Sequence, residues 1–255
     1  MEDRNLVRLV RNLQRRGERR RSDSVVCEGV RVVEEAVRAE ATFEGVLVSP
    51  LLERTERGRN LLGLLEGKRT PIQRITDQDL EGLADTETPQ GILAVVKMPD
   101  WKLDSIAAEK GRPVLVLDSV RDPGNVGTII RTAFALGAAG LILLKGSARP
   151  NHPKVVRASA GSVFLLPIIS LDDAEFAGWA EESGAEVWVA DSDGELPEAP
   201  PQRLVLVVGN EGEGVRKEVR LPSFKTVAVP MARKIDSLNV AVATAILLHE
   251  VQRDS

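Results

Sequence analysis

The sequence has very few residues of the kinds that form disulfide bonds or metal sites. Its single cysteine, Cys27, cannot form an internal disulfide, which agrees with a reducing compartment. The apolar neighbours of Cys27 indicate a small buried side chain and not a nucleophile. The two histidines, His152 and His249, lie far apart without ligand spacing, so the sequence predicts no metal site.

Long apolar runs are also lacking, and this bears on the class of protein. No segment approaches the roughly 18 apolar residues that a membrane-spanning helix requires. The start of the sequence lacks the apolar segment of a signal peptide, so we expect a cytoplasmic protein. The G-x-S-x-G elbow of a serine hydrolase is absent. Asp172 and Asp173 fit a helix N-terminus better than a catalytic pair of carboxylates.

Charge is nearly balanced over the whole chain but not along it. The formal net charge of −4 argues against a protein that coats nucleic acid by bulk charge. The first 22 residues nevertheless contain eight arginines and three acidic residues. Two interpretations stay open, a phosphate-binding arm or a solvated basic end. We define the N-terminal arginine cluster as Arg15, Arg16, Arg19, Arg20 and Arg21.

Apolar patterning predicts two α/β units joined by a linker. Residues 1–97 alternate strand-like segments with amphipathic helices. Residues 98–112 are mostly polar and predict a linker, and residues 113–255 predict a second domain. The first helix has an apolar stripe formed by Leu6, Leu9, Val10 and Leu13. The predicted strands of the first unit are 25–27, 43–48, 72–75 and 92–96.

The second unit contains near-continuous apolar runs separated by helical segments. Such runs are typical of parallel strands covered on both faces, so we predict an α/β fold with a parallel sheet of about six strands. Ligands bind such sheets at the carboxyl ends of the strands, and we expect the site in the loops there. The runs are 114–117, 141–144, 163–169, 187–190, 204–208 and 227–229.

The loop after the first of these runs is rich in turn-forming residues. It reads Asp122-Pro123-Gly124-Asn125-Val126-Gly127, and Asn125 can cap the helix that follows. On that helix, Arg131 lies outside the apolar stripe. Taken alone, Arg131 is most simply an ordinary surface arginine.

A glycine-rich segment, Gly209-Asn210-Glu211-Gly212-Glu213-Gly214, follows the fifth run and is similar to a phosphate-binding loop. Its order is G-x-x-G-x-G and not the dinucleotide order G-x-G-x-x-G, and the sequence contains no P-loop motif. Glu211 and Glu213 would repel a polyphosphate, whereas a cationic ligand such as a sulfonium is not penalised. The pattern therefore weakens the interpretation as a nucleotide-dependent enzyme.

These segments, in this order, resemble the SpoU branch of the SPOUT RNA methyltransferases. The first family motif is similar to residues 122–127 with Ile129-Ile130-Arg131-Thr132, and the second to residues 209–214. The third is similar to Pro230-Met231 with Ser237-Leu238-Asn239-Val240. The resemblance covers residues 114–251 and includes the segment 154–161. Cys27-Glu28-Gly29 and Thr88-Pro89-Gln90-Gly91 resemble the family's N-terminal substrate-binding domain.

The resemblance implies a function, a cofactor and a set of site residues. The function is methyl transfer from S-adenosylmethionine to a ribose 2′-hydroxyl of RNA, with ribosomal RNA expected, in a homodimer whose C-terminal domain forms a trefoil knot. Implied cofactor contacts are Gly209, Glu211, Val229, Met231 and Leu238. Implied catalytic or RNA-contacting residues are Asn125, Arg131, Glu211, Ser237 and Asn239. RNA contacts are also expected for Arg157 and the N-terminal arginine cluster.

The resemblance also assigns Arg131 as the catalytic arginine. Because a guanidinium hardly deprotonates in proteins, we hypothesise that Arg131 binds a neighbouring phosphate and stabilises charge developing on the 2′-oxygen. Phosphate or water would then take the proton. One alternative stays open, a non-catalytic RNA-binding or ribosome-assembly factor on the same fold.

Overall fold

The computed structural model describes residues 3–15, 23–195, 200–210, 212–219, 224–232 and 237–253. The helices are α1 (Asp3–Arg15), α2 (Val30–Arg38), α3 (Glu56–Gly67), α4 (Asp77–Glu81), α5 (Pro123–Ala135), α6 (Pro153–Ala158), α7 (Asp173–Ser183) and α8 (Val240–Arg253). The strands are β1 (Ser24–Glu28), β2 (Phe43–Val48), β3 (Ile72–Arg74), β4 (Ile92–Lys97), β5 (Val114–Asp118), β6 (Gly140–Leu143), β7 (Ile168–Ser170), β8 (Glu186–Glu195), β9 (Leu204–Gly209) and β10 (Lys225–Val227). None of the described helices is both long and apolar enough to cross a membrane.

The chain divides into two compact units. The first unit contains residues 1–100 and 151–165, and the second contains residues 101–150 and 166–255. The segment 151–165, which the sequence groups with the second domain, belongs to the first unit because α6 packs against β1. Within this segment His152 caps α6, since its Nδ1 accepts a hydrogen bond from the Lys154 amide at 3.1 Å.

The first unit is built on a mixed sheet in the order β1-β4-β2-β3. β4 runs antiparallel to β1 and β2, and β3 runs parallel to β2. The predicted apolar stripe of α1 is confirmed, because Val10 is fully buried and Leu6, Leu9 and Leu13 pack on the same core. The strands predicted in this unit are also confirmed. Cys27 is buried in β1, and burial raises the pKa of its thiol, which keeps the sulfur protonated.

The turn before β4 stabilises the start of α2 from a distance. The N-cap residue of α2 is Gly29, which has no side chain to accept a hydrogen bond. Instead, Gln90 Oε1 accepts a hydrogen bond from the Val30 amide at 2.8 Å. The next residue, Gly91, has a φ of 79°, and a Cβ atom there would lie 2.2 Å from the Leu52 nitrogen. The segment Thr88-Pro89-Gln90-Gly91 therefore has a structural role that follows from its own contacts.

The second unit contains the predicted parallel sheet. Its order is β10-β8-β9-β5-β6-β7, all neighbouring pairs are parallel, and the described part of the sheet has six strands. The central strands β5 and β9 are buried along almost their whole length. The predicted α/β class with a parallel sheet is therefore confirmed.

Two predicted strands of this sheet differ from the observed ones. Of the run 227–229 only Val227 lies in β10, and the run 163–169 is largely wrong. Of the apolar run 163–169, residues Ser162–Phe164 form a 3₁₀ turn, and only Ile168 and Ile169 enter β7. Gly161, with a φ of 90°, begins the turn, and Pro167 has no amide hydrogen to pair with a neighbouring strand. Val163 and Phe164 are buried all the same. A short buried turn and a short buried strand have the same apolar pattern, so the sequence could not separate them.

Replacing Gln90 with alanine should lower the free energy of unfolding by about 1–2 kcal/mol, because the Val30 amide loses its acceptor. Gln78 is an exposed glutamine on α4 with no side-chain hydrogen bond to the described residues, so Gln78→Ala is the matched control. The control should change stability by less than about 0.5 kcal/mol. Urea unfolding followed by circular dichroism compares the two variants, and equal losses would contradict the long-range cap.

Candidate functional site

A cavity of about 300 Å³ lies at the carboxyl ends of β9 and β10 and beside the middle of β8. β8 contributes Ala190, Asp191 and Ser192, and the loop after β9 contributes Asn210 and Gly212 to Gly214. The segment after β10 and the first turns of α8 complete the lining. This is the edge of the sheet where the sequence predicted the site.

The structure brings most of the predicted cofactor residues together around this cavity. Gly209, Val229, Met231 and Leu238 all line it, and so does Ser237 from the predicted catalytic set. Glu211, which was assigned to both sets, lies outside the described residues. The second and third motifs therefore share one cavity, while the roles of the individual residues stay predictions.

The loop after β9 is tightly folded, and its first glycine is required by close contact. A Cβ atom on Gly209 would lie 2.2 Å from the carbonyl carbon and oxygen of Gly214. The backbones of Asn210 and Gly214 exchange two hydrogen bonds of 3.2 and 2.8 Å. Asn210 Oδ1 accepts from the Gly212 amide at 2.9 Å. Its Nδ2 donates to the Ser119 carbonyl oxygen at 3.2 Å, which ties the loop to the end of β5.

The first and third motifs meet through two asparagine side chains. Asn239 Nδ2 donates a hydrogen bond to Asn125 Oδ1 at 3.0 Å. Asn239 Oδ1 accepts from the amides of Ala241 at 3.0 Å and Val242 at 3.3 Å, and so it also caps α8. Asn239 thus fixes the start of α8 and links this helix to α5.

The prediction that Asn125 caps α5 is wrong, because Asp122 does so. The Asp122 carboxylate accepts a hydrogen bond from the Asn125 amide at 2.9 Å. Pro123 occupies the first helical position, which its fixed φ favours, and the cap is therefore the residue before it. The side chain of Asn125 is turned to Asn239 instead.

Arg131 lies in the middle of α5, on its exposed side. The apolar stripe of the helix, with Val126, Ile129, Ile130 and Ala133, is buried, so Arg131 falls outside it as predicted. None of the ion pairs between described residues includes Arg131. Its guanidinium is therefore available to an anion.

Sequence reasoning missed a buried charge cluster beside the glycine-rich loop. Asp118, the last residue of β5, is 0% exposed. It accepts hydrogen bonds from the backbone amide and the Nε atom of Arg216, both at 2.7 Å. Arg216 also binds both carboxylate oxygens of Asp173, at 2.8 and 3.1 Å. These bonds raise the pKa of the Arg216 guanidinium, and the bonds to Asp173 have the largest effect. The guanidinium therefore stays charged. A single signal was present, an aspartate directly after an apolar strand.

The neighbouring residue Asp172 caps α7, as the sequence predicted for this pair. Its carboxylate accepts from the amides of Ala174 and Glu175, and Glu175 Oε2 accepts from the Asp172 amide, which completes a capping box. Asp173 is therefore the one of the two carboxylates that binds a side chain of another element.

The charge of the cavity lining is negative. Asp191 and Glu213 line it, and none of its described lining residues is basic. Glu213 lies 3.7 Å from Arg121, but both side chains are largely exposed, so this pair has little effect. The lining therefore suits a cationic ligand better than a phosphate.

Comparison with known proteins agrees with this geometry. Residues 112–249 match the family model described as the SpoU rRNA methylase family. The chain belongs to the SpoU rRNA methylase family. Residues 4–94 match the family model described as the MRM3-like substrate binding domain. The resemblance drawn from the three motifs is thus confirmed.

This SpoU family member is similar to two curated relatives over most of its length. One is the Bacillus subtilis 23S rRNA (guanosine(2553)-2′-O)-methyltransferase RlmP, with 32% identity over 95% of this chain and 94% of that protein. Another is the 23S rRNA (uridine(2479)-2′-O)-methyltransferase of Streptomyces viridochromogenes, with 32% identity over 94% of this chain and 86% of that protein.

Among solved structures, the SpoU methyltransferase AviRb from Streptomyces viridochromogenes in complex with AdoMet aligns with a TM-score of 0.84 and 30% identity. The alignment covers 98% of this chain and 97% of that chain. An AdoMet-bound rRNA methyltransferase from Sinorhizobium meliloti also gives a TM-score of 0.84, with 28% identity over 98% and 94%.

Of the predicted RNA-binding residues of this SpoU family member, the structure describes the backbone of Arg15 and the whole of Arg157. Arg157 is exposed on α6. Arg15 ends α1, and its side chain is not described. The other residues of the N-terminal arginine cluster, Arg16, Arg19, Arg20 and Arg21, lie outside the described residues. Their contact with RNA stays a prediction.

Gly209→Ala should lower the free energy of unfolding by about 1–3 kcal/mol, because the new methyl group would overlap the Gly214 backbone. Gly178→Ala is the matched control in the same unit. A Cβ atom at Gly178, in α7, meets nothing within 4 Å, so this change should raise stability by up to about 1 kcal/mol. Thermal unfolding separates the two, and an unchanged Tm for Gly209→Ala would refute the close packing of the loop.

Proposed function

We propose that the protein transfers a methyl group from S-adenosylmethionine to a ribose 2′-hydroxyl of RNA, and that its substrate is ribosomal RNA. One observation carries this proposal: the second and third motifs line a single cavity, at which four of the five implied cofactor residues lie. The names of the similar proteins, which are 23S rRNA 2′-O-methyltransferases, support the same substrate class.

The cavity fits this cofactor in size and charge. Its volume of about 300 Å³ is at the lower end of the usual range for small-molecule sites. Val229, Leu238 and Leu247 offer apolar surface for a base, while Asp191 and Glu213 favour a positively charged group. When bound, S-adenosylmethionine supplies an electrophilic methyl group on a sulfonium, so the transfer needs alignment more than a covalent intermediate.

The remaining site residues would align the RNA. Asn125 and Asn239 hold each other at the junction of the first and third motifs, and Ser237 lies at the cavity. We assign to this group, together with Glu211, the orientation of the target ribose. Arg131 binds the phosphate beside that ribose and stabilises the charge that develops on the 2′-oxygen. Phosphate or water takes the proton, since a guanidinium does not act as a base near neutral pH.

Calorimetry with S-adenosylmethionine and transfer of a labelled methyl group to bulk RNA from the native host test this function. Binding of the cofactor together with 2′-O-methylation of RNA is the expected result. Cofactor binding without methyl transfer to any host RNA would favour a non-catalytic assembly factor. Mapping 2′-O-methyl sites in RNA from cells with and without the gene would then identify the target nucleotide.

Arg131→Ala should lower the rate of methyl transfer by roughly 100-fold or more, because charge on the 2′-oxygen is no longer stabilised. Cofactor affinity, measured by calorimetry, should stay within about twofold. Arg112→Lys, a change at an exposed arginine of the same unit that pairs with Glu109, is the matched control and should leave the rate unchanged.

The pH dependence of the rate tests the proposed division of roles. The pH-rate profile of wild type should contain no inflection from Arg131, because the guanidinium stays charged throughout the range. The profile of Arg131→Lys should therefore have the same shape. An inflection seen in wild type and lost in Arg131→Lys would instead identify Arg131 as the base.

We further infer that the C-terminal domain is a knotted homodimer, as the family resemblance implies. α5 packs against α8, and each helix leaves a large apolar side chain exposed, Phe134 at 37% and Val242 at 49%. A second copy of the chain would cover such a surface. Arg131 lies one turn before Phe134 on α5, and we propose that it acts at the cavity of the partner copy.

A protein that modifies ribosomal RNA would work in the cytoplasm, which agrees with the buried, unpaired Cys27.

Replacing the N-terminal arginine cluster with alanines should weaken RNA binding and flatten its salt dependence. Five lost phosphate contacts would reduce the slope of log K against log salt by about 3.5 to 4.5, while cofactor affinity stays unchanged. A matched control removes three arginines that are already ion-paired in the first unit, and it should leave the slope nearly unaltered. The control residues are Arg54, Arg57 and Arg74. An unaltered slope for the cluster variant would show that the cluster is a solvated end.

A further inference from the structure

Arg216 lies next to the cavity without lining it. It follows the glycine-rich loop, and its side chain turns to the end of β5. There Asp118 pairs in register with Gly209, the cavity residue at the end of β9. Arg216 can therefore affect the shape of the cavity only indirectly, through the residues to which it is hydrogen-bonded.

Arg216 joins two carboxylates, those of Asp118 and Asp173, and we call these three residues the clamp. A buried carboxylate such as that of Asp118 is very unfavourable unless donors compensate it, and Arg216 supplies two, its backbone amide and Nε. The outer nitrogens of the guanidinium bind Asp173 at the start of α7. Only the planar fork of an arginine can bind two carboxylates in this way, because a lysine offers one point of charge.

The clamp closes one end of the loop, and Asn210 closes the other. Asn210 donates to the carbonyl oxygen of Ser119, and Arg216 binds Asp118, so two adjacent residues at the end of β5 anchor both ends of the loop. Between them lie Gly212, Glu213 and Gly214, which line the cavity. Two glycines in so short a segment would give it many conformations if an anchor were lost.

We propose that Arg216 is a positioning residue, which holds residues 212–216 in their cofactor-binding shape through Asp118 and Asp173. It does so without touching the cofactor. Because the backbone of residues 212–216 is already held in place, cofactor binding does not have to supply the free energy of ordering it. The identity of the ligand in this inference rests on the proposed function, but the ordering of the loop does not.

Cofactor affinity gives the first test. Arg216→Lys should raise the calorimetric Kd for S-adenosylmethionine by about 10-fold or more, with the KM for RNA and the kcat at saturating cofactor within about threefold. Lys217→Ala, a change at the exposed next residue, is the matched control and should leave the Kd unchanged. A folded Arg216→Lys protein that binds the cofactor within twofold of wild type would overturn the proposal.

Hydrogen exchange in the cofactor-free protein gives a second test that does not depend on the ligand. The amides of Gly212, Gly214 and Arg216 should exchange at least about 10 times faster in Arg216→Lys, while those of β9 stay unchanged. Equal loop exchange in the two proteins would overturn the clamp. If wild type binds no S-adenosylmethionine, the proposed function fails, and the exchange data still decide the role of Arg216.

A second variant tests the same proposal if Arg216→Lys does not fold. Asp173→Asn removes only the outer, half-exposed partner and leaves the bonds between Arg216 and Asp118. It should raise the Kd by about threefold and speed loop exchange to an intermediate degree. Unchanged affinity together with unchanged exchange in this variant would also overturn the proposal.

Discussion

The candidate site depends on one carboxylate that is buried at the end of a strand. Asp118 is fully buried, so its charge must be compensated by protein groups, and Arg216 supplies two donors at 2.7 Å. Because β5 and β9 are paired in register, this ion pair holds the segment after the glycine-rich loop against the end of β5. Ser119, the next residue, receives Asn210 from the same loop. Substitution of Asp118 would thus change the shape of the cavity, although Asp118 itself does not line it.

The sequence was sufficient for the fold class because the relevant signals are local. Apolar runs of three to seven residues predicted the parallel sheet, and strands buried on both faces necessarily produce such runs. The apolar stripe of α1 was found for the same reason. Two of the wrong predictions came from competing local signals. Pro123 moved the cap of α5 to Asp122. Gly161 begins a 3₁₀ turn that contains Val163 and Phe164, and β7 begins only after Pro167.

Pairings that are distant in sequence could not be predicted from pattern. Asp118 and Arg216 are 98 residues apart, Asn125 and Asn239 are 114 apart, and Val30 and Gln90 are 60 apart. Each pair depends on how strands and helices meet in space, and neither partner carries a periodic signal. The motif resemblance did place Asn125 and Asn239 in one site, because it is a comparison with proteins in which the two motifs are already known to meet. It does not explain from the sequence why they meet. Arg216 had no such support, and only the contacts reveal it.

The placement of charge explains why the site is divided among several segments. A methyl donor with a sulfonium is a cation, whereas RNA is a polyanion, and one surface cannot attract both. The described lining of the cavity contains Asp191 and Glu213 and no basic side chain. Arg131, which is assigned to RNA, lies on the exposed side of α5 and is not part of this lining. Arg216 would neutralise the cavity if it were free, but its guanidinium is already bound to two carboxylates outside the lining. The same ion pairs that order the loop therefore keep the cavity negative.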